Sequence, residues 1–219
     1  MRILVIGEDY NLSECRQKFG AGHTYFHERN QLGAKKFFAG CDVAFDFVID
    51  KHPSQMETYS DLAIPIFLNT AKISLISLIS GISGYPRFGF AGLATFLNRE
   101  VLEVSLSHPA QREKLTALCH QLNTDFQVVA DRVGLVTPRV ICMIINEAYY
   151  TVEEGTATRD DIDLAMKLGT NYPYGPFEWC RKIGAQDVVE LLAAVYEDSK
   201  NERYKICSLL KKEYQAAMG

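Results

Sequence analysis

Arg2-Ile3-Leu4-Val5-Ile6 is a short, unbroken apolar run that stops at Gly7, the form of a strand buried on both faces. Residues 10–19 then carry apolar side chains at helical spacing, and a polar and aromatic stretch around Thr24-Tyr25-Phe26 follows. Two more buried runs, 43–50 and 64–69, each end on a polar side chain, Asp50 and Asn69. Residues 73–79 fit either a strand or a short helix. Residues 88–95 and 102–106 read as a strand pair around a tight connection, and 126–130 as a last strand. Strands alternating with helical stretches predict an α/β fold with a doubly wound parallel sheet over residues 1–130.

Beyond Thr137 the pattern is helical throughout. Val140, Ile141, Ile144, Ile145, Ala148 and Val152 recur as a 3.6-residue stripe, with Pro138 suited to the first turn. Thr158 followed by Asp161 reads as an N-cap with a carboxylate three residues on. Asp161 and Asp163 fall in that helix's first turn, where the dipole favours negative charge. The turn Asp131-Arg132-Val133-Gly134 separates the halves, so the chain divides into 1–130 and an all-α domain over 131–219.

Composition narrows the function classes. Of 219 residues, 47% are apolar and 23% charged, as in ordinary globular proteins. A net charge of −4 argues against a nucleic-acid or anionic-membrane surface. The first apolar run is too short for a signal peptide, and no stretch approaches a membrane span. Cys15, Cys41, Cys119, Cys142, Cys180 and Cys207 are scattered, with no Cys-x-x-Cys pair and no His at ligand spacing. We read them as reduced apolar fillers of a cytoplasmic protein, with no metal site.

Five fragments of the helical half occur in a telling order: Asn146-Glu147-Ala148, Glu154-Gly155, Asp161-Ile162-Asp163, Lys167-Leu168-Gly169 and Tyr172-Pro173-Tyr174-Gly175-Pro176-Phe177-Glu178. Together they resemble the C-terminal helical domain of the 3-hydroxyacyl-CoA dehydrogenase family. Just upstream, residues 131–139 resemble the family's Asp-x-Pro-Gly-Phe-x-x-Asn-Arg, with Pro138 in place of the Asn that helps position acyl-CoA. Proline has neither a side-chain amide nor an N–H to make that contact. The resemblance implies a reduced Rossmann-like sheet followed by the all-α domain, NAD as cofactor, an acyl-CoA ligand and a homodimer formed through the helical domain.

The resemblance also implies site residues in the first half. Asn69-Thr70-Ala71 falls on the family's Asn-Thr-Ser, so Asn69 and Thr70 would contact substrate and Ala71 replaces a serine. Ala94, within Phe90-Ala91-Gly92-Leu93-Ala94-Thr95-Phe96-Leu97-Asn98, falls on the catalytic His. Glu103, within Val101-Leu102-Glu103-Val104, falls on the Glu that orients it. Oxidising a 3-hydroxyl needs a base of suitable pKa within hydrogen-bond reach, and its deletion costs about two to four orders of magnitude in rate. His108 reads as a residue at a helix start, and His23, His27, His52 and His120 have no spacing that favours a base or a metal.

For the cofactor, Gly7 is the first glycine of a phosphate-cradling loop, but Glu8-Asp9-Tyr10-Asn11-Leu12 follows instead of further glycines. Glu28, about twenty residues on, reads either as the ribose-binding acid or as a surface glutamate, the second being favoured. Some sixteen residues between Phe26 and Val43 leave no room for the helical hairpin that helps the family bind CoA. Lys35-Lys36 reads as a solvated pair. The expectation is a 3-hydroxyacyl-CoA dehydrogenase-related protein of fatty acid and acyl-CoA metabolism with NAD-dependent oxidation impaired. The alternatives are a non-catalytic dimeric scaffold or regulatory pseudoenzyme, or a helical partner subunit of an intact dehydrogenase.

Overall fold

The computed structural model describes residues 1–82 and 85–218. Two compact units emerge, Met1–Val136 and a second from Thr137 onward. The first alternates β1 (Arg2–Ile6), α1 (Asp9–Phe19), β2 (Thr24–Glu28), α2 (Gln31–Ala34), β3 (Val43–Asp46), β4 (Ile66–Asn69), α3 (Leu75–Leu78), β5 (Arg87–Phe90), β6 (Val101–Leu106), α4 (Arg112–Gln121) and β7 (Asp125–Val129). Among the described residues the strands form one sheet in the order β2-β1-β3-β4-β5-β6-β7. Every neighbouring pair is parallel except β5 with β6, where Phe90 lies opposite Val104. The chain leaves β1 toward β2 on one side and continues from β3 on the other, which makes the β1/β3 crevice a topological switch point.

Alternation along each strand divides the core into two layers. On one face Ile3, Val5, Val43, Phe45, Phe67, Phe88 and Phe90 pack with Cys15 and Phe19 of α1 and Leu115, Leu118 and Cys119 of α4. On the other, Leu4, Ile6, Ala44, Ile66 and Leu68 meet Phe38, Met56, Tyr59, Leu75 and Leu78. Phe45 stacks on Phe67 at 4.5 Å between ring centres, and Phe90 closes edge-on against Phe45. β3 and β4 are buried at every position, as central strands covered on both faces must be.

Three departures from the sequence reading have local causes, and the open choice at 73–79 resolves to the short helix. The stretch around Thr24 is edge strand β2, no position of which is fully buried. The 43–50 run stops being a strand at Asp46, whose buried carboxylate accepts from Val48 N (2.8 Å), Gln31 Nε2 (2.9 Å) and Tyr59 OH (2.6 Å). That side-chain turn pulls the backbone out of the ladder, and burial raises the Asp46 pKa against those bonds. Residues 73–79 contain helix α3, with Ser74 as its N-cap. Finally, β5 ends at Phe90, so 91–100 is a long loop rather than a tight connection, and Thr95 sits in it at φ 76°.

The second unit comprises α5 (Thr137–Glu153), α6 (Arg159–Thr170), α7 (Pro176–Ile183), α8 (Ala185–Ser199) and α9 (Ser208–Met218). Thr158 caps α6, its hydroxyl accepting from Asp161 N at 3.2 Å. Asp163 behaves differently from the expectation of a first-turn charge on its own helix. It is buried and accepts from Phe177 N (2.8 Å) and Glu178 N (3.2 Å), thereby capping α7. A Cβ at Gly175 would lie 2.3 Å from that carboxylate, so the Gly-Pro-Phe turn needs its glycine. Asn146 pins the start of α9, accepting from Cys207 N and donating to Lys205 O, both at 2.9 Å. All six cysteines are buried and none forms a disulfide. Among the described residues no helix is long and apolar enough to cross a membrane.

Residues 131–136, which their sequence places with the helical half, belong with the sheet. Asp131 accepts from Leu75 N and Ile76 N, both at 2.8 Å, so its carboxylate caps α3. Gly134 N donates to Ala71 O at 2.9 Å.

Candidate functional site

In an open α/β sheet the ligand crevice lies beyond the carboxyl ends of the strands, at the switch point. Here that edge carries Gly7 after β1, Glu28 ending β2, Asp46 ending β3 and Asn69-Thr70 at the end of β4. Gly7 N donates to Glu28 O at 2.9 Å, closing the β1–β2 end. Asn11 fills the space in front of Gly7: a Cβ on Gly7 would stand 2.5 Å from Asn11 Oδ1. The same oxygen accepts from Glu8 N at 2.8 Å, which satisfies a first-turn amide of α1 from within. Arg29 donates to Asp9 at 3.0 Å and stands 3.8 Å from Glu8, and His27 Nε2 lies 2.8 Å from Gly7 O.

This arrangement does not fit a dinucleotide pyrophosphate. A phosphate cradle needs bare backbone amides at a helix start. At α1 a side-chain oxygen is already bonded to Glu8 N, two carboxylates flank it, and the nearby guanidinium is engaged by them. Sequence reasoning identified the lost glycines and the two acids but missed Asn11 and Arg29. The signal was present in Asn11, a buried polar residue three positions after the cap.

Glu28 forms an ion pair with Lys36, the second lysine of the pair read as solvated. Its carboxylate also lies where a Cβ of Gly33 would be, at 2.6 Å. Asn69 is buried, and its amide makes three hydrogen bonds: Nδ2 donates to Phe47 O (3.1 Å), while Oδ1 accepts from Ala71 N (3.2 Å) and Gly92 N (2.9 Å). It therefore ties together the segments following β3, β4 and β5. Thr70 is fully buried, with its N–H on Phe90 O at 2.9 Å and its hydroxyl on the same carbonyl at 3.5 Å.

Glu103 is partly exposed on the face of β6 opposite Leu102 and Val104. Its carboxylate accepts from Val136 N, and its negative charge partly offsets the burial that lowers the Arg99 pKa. The imidazoles with described contacts are engaged elsewhere. His23 lies 3.1 Å from the Met1 amine, His27 is at Gly7, and His108 caps the turn before α4 by accepting from Ala110 N at 3.1 Å. His52 and His120 are exposed, His52 before a 3₁₀ turn and His120 on α4. Among the described residues no three His, Cys, Asp or Glu side chains are grouped to hold a metal ion. Arg99, whose neighbour in charge is Glu103, was not singled out from sequence.

The helical unit offers its own polar cluster. Arg139 donates to Tyr204 OH at 3.1 Å, Arg203 donates to the same oxygen, and both guanidiniums lie over the Tyr204 ring. Together the two arginines hold the phenol below its usual pKa despite its burial. Val140, Met143 and Ile144 form the apolar floor of the adjoining groove.

Comparison with known proteins gives these geometries a lineage. Residues 134–218 match the family model described as 3-hydroxyacyl-CoA dehydrogenase, C-terminal domain. The 3-hydroxyadipyl-CoA dehydrogenase of Escherichia coli K12 is 42% identical over 102 residues, covering 47% of this chain and 21% of that protein. A 3-hydroxybutyryl-CoA dehydrogenase of Bradyrhizobium diazoefficiens is 26% identical over 188 residues, or 81% of this chain and 64% of that one. The chain thus spans about a fifth to about two thirds of the length of these curated relatives. Among solved structures, (S)-3-hydroxybutyryl-CoA dehydrogenase PaaH1 from Ralstonia eutropha superposes with a TM-score of 0.74 at 17% identity. That likeness covers 99% of this chain and 94% of that one, and it establishes the shared Rossmann-like and helical fold. The C-terminal region over residues 134–218 is thus a 3-hydroxyacyl-CoA dehydrogenase C-terminal domain, and the chain as a whole shares the fold of those dehydrogenases.

Proposed function

We propose that this is a 3-hydroxyacyl-CoA dehydrogenase-related protein of acyl-CoA metabolism in which NAD-dependent oxidation of the 3-hydroxyl is impaired. The observation that carries the reading is the head of α1, where Asn11 stands against Gly7 and takes the amide of Glu8. Ala94 adds to it, because a methyl group cannot accept a proton and the carboxylate of Glu103 lies with Val136 N–H. Acyl-CoA is the ligand class to test, since the relatives are named for hydroxyacyl-CoA substrates. Reduction of acetoacetyl-CoA, followed by loss of NADH absorbance at high protein concentration, is the test. The expected rate is at background, and turnover within about two orders of magnitude of an ordinary enzyme's 1–1,000 s⁻¹ would overturn the reading.

A second reading follows from the same features: a non-catalytic dimeric protein that retains the scaffold for association. It is favoured by the helical unit, whose motif residues Asp163, Gly175 and Glu178 are engaged in holding α6 to α7. Calorimetry with acyl-CoA separates the two, because binding without turnover supports an acyl-CoA-handling protein and no binding supports the scaffold.

A further inference from the structure

The loop over residues 91–100 is fastened to one face of α1 by two side chains a turn apart. Glu14 Oε1 accepts from Thr95 N at 2.7 Å. Lys18 Nζ donates to the carbonyls of Arg99 and Glu100. Leu93, Phe96 and Leu97 of the loop are themselves buried. The point of attachment is unusual on three counts. Thr95 has φ 76°, a left-handed conformation that is costly for a β-branched residue and persists only when its surroundings impose it. The second carboxylate oxygen, Glu14 Oε2, is buried with no hydrogen-bond partner. The hydroxyl of Thr95 is buried and unpartnered as well. A strained backbone, an orphaned carboxylate oxygen and an orphaned hydroxyl thus meet in two residues already joined by one bond.

A buried carboxylate oxygen without a donor is costly when the group is charged. A proton on it removes the charge and supplies a donor next to a residue whose hydroxyl lacks one. We propose that Glu14 is a proton-operated latch that holds the 91–100 loop down on α1 when protonated and releases it, together with the strain at Thr95, when ionised. Among the described residues, these groups lie around the latch. On α1 they are Cys15 and Lys18; from the loop, Arg99 and Glu100; and across from Lys18, Asp125 of β7 and Cys119 of α4. None of them donates to Glu14 Oε2.

The sign follows from burial. Desolvation raises the Glu14 pKa more than the Thr95 N–H lowers it. The closed loop therefore binds the proton more tightly than an open one does. Closure is fully favoured below the ordinary carboxyl range and weakens as pH rises through the raised pKa. The latch is independent of whether the family's reaction survives, since it needs neither cofactor nor substrate.

Hydrogen exchange of the whole protein, read on peptides covering 91–100 and corrected for intrinsic rates, tests this between about pH 4.5 and 8. The wild type is expected to lose protection in this loop several-fold as pH rises, while β1 and β4 stay unchanged. Glu14→Gln, whose amide can accept from Thr95 N and donate to its hydroxyl, is expected to keep the loop protected at every pH. A second variant, Thr95→Gly, removes the conformational cost and is expected to raise loop protection at the alkaline end in an otherwise wild-type chain. A flat wild-type profile, or the same slope in Glu14→Gln, would overturn the latch. If Glu14→Gln does not fold, unchanged alkaline protection in Thr95→Gly overturns it as well.

Discussion

Replacing Asn69 with alanine would strip three backbone groups, Phe47 O, Ala71 N and Gly92 N, of one shared partner in a buried place. Leaving buried polar groups unmatched costs about 1–3 kcal/mol each before relaxation, so we expect a loss of about 2–4 kcal/mol in urea denaturation. A change near zero would mean that the Asn69 amide is not structural. At this scale the sequence conveys type but not partner. Asn69, Thr70 and Glu103 stood out because those residue types contact substrate in the resembling family. Which carbonyl an amide meets depends on how three strand ends converge, and no spacing encodes that. Ala94 was legible, because a missing functional group needs no partner to be recognised. Arg29 was hidden because its partners Asp9 and Glu8 lie twenty or more residues away, whereas Asn11 acts within its own turn, on Gly7 and Glu8.

The junction of α6 and α7 turns a sequence motif into a mechanical joint. Asp163→Ala removes the carboxylate that caps α7 at Phe177 and Glu178 and is expected to cost about 1–2 kcal/mol, as lost caps do. Trp179, the sole tryptophan, is buried on α7 beside Tyr172 and Tyr174, so its fluorescence should report this loss directly. An unchanged tryptophan transition would count against the cap. Helices with a strong stripe, α5 above all, were plain from periodicity. β2 was not, because an edge strand with no fully buried position lacks the buried-run pattern. The β5–β6 connection was misjudged for the opposite reason: Leu93, Phe96 and Leu97 are loop residues as buried as any strand.

For the whole molecule, the family supplies the expectation of a homodimer formed through the helical unit, and α6 offers a surface for it. Leu164 and Leu168, one turn apart, are 55% and 78% exposed, more apolar surface than a lone helix face usually leaves to water. Sedimentation should give two protomers, and Leu168→Lys should shift the population toward one; a wild-type monomer at micromolar concentration would contradict this. The resemblance of the helical half was readable because helix stops, caps and the Gly175 turn occur in a fixed order. The account as a whole rests on the closed head of α1. Calorimetric titration of the intact protein with NADH tests it most directly. We expect no binding heat up to about millimolar cofactor, the weak end of cofactor affinity, whereas saturable binding at micromolar NADH would contradict the account.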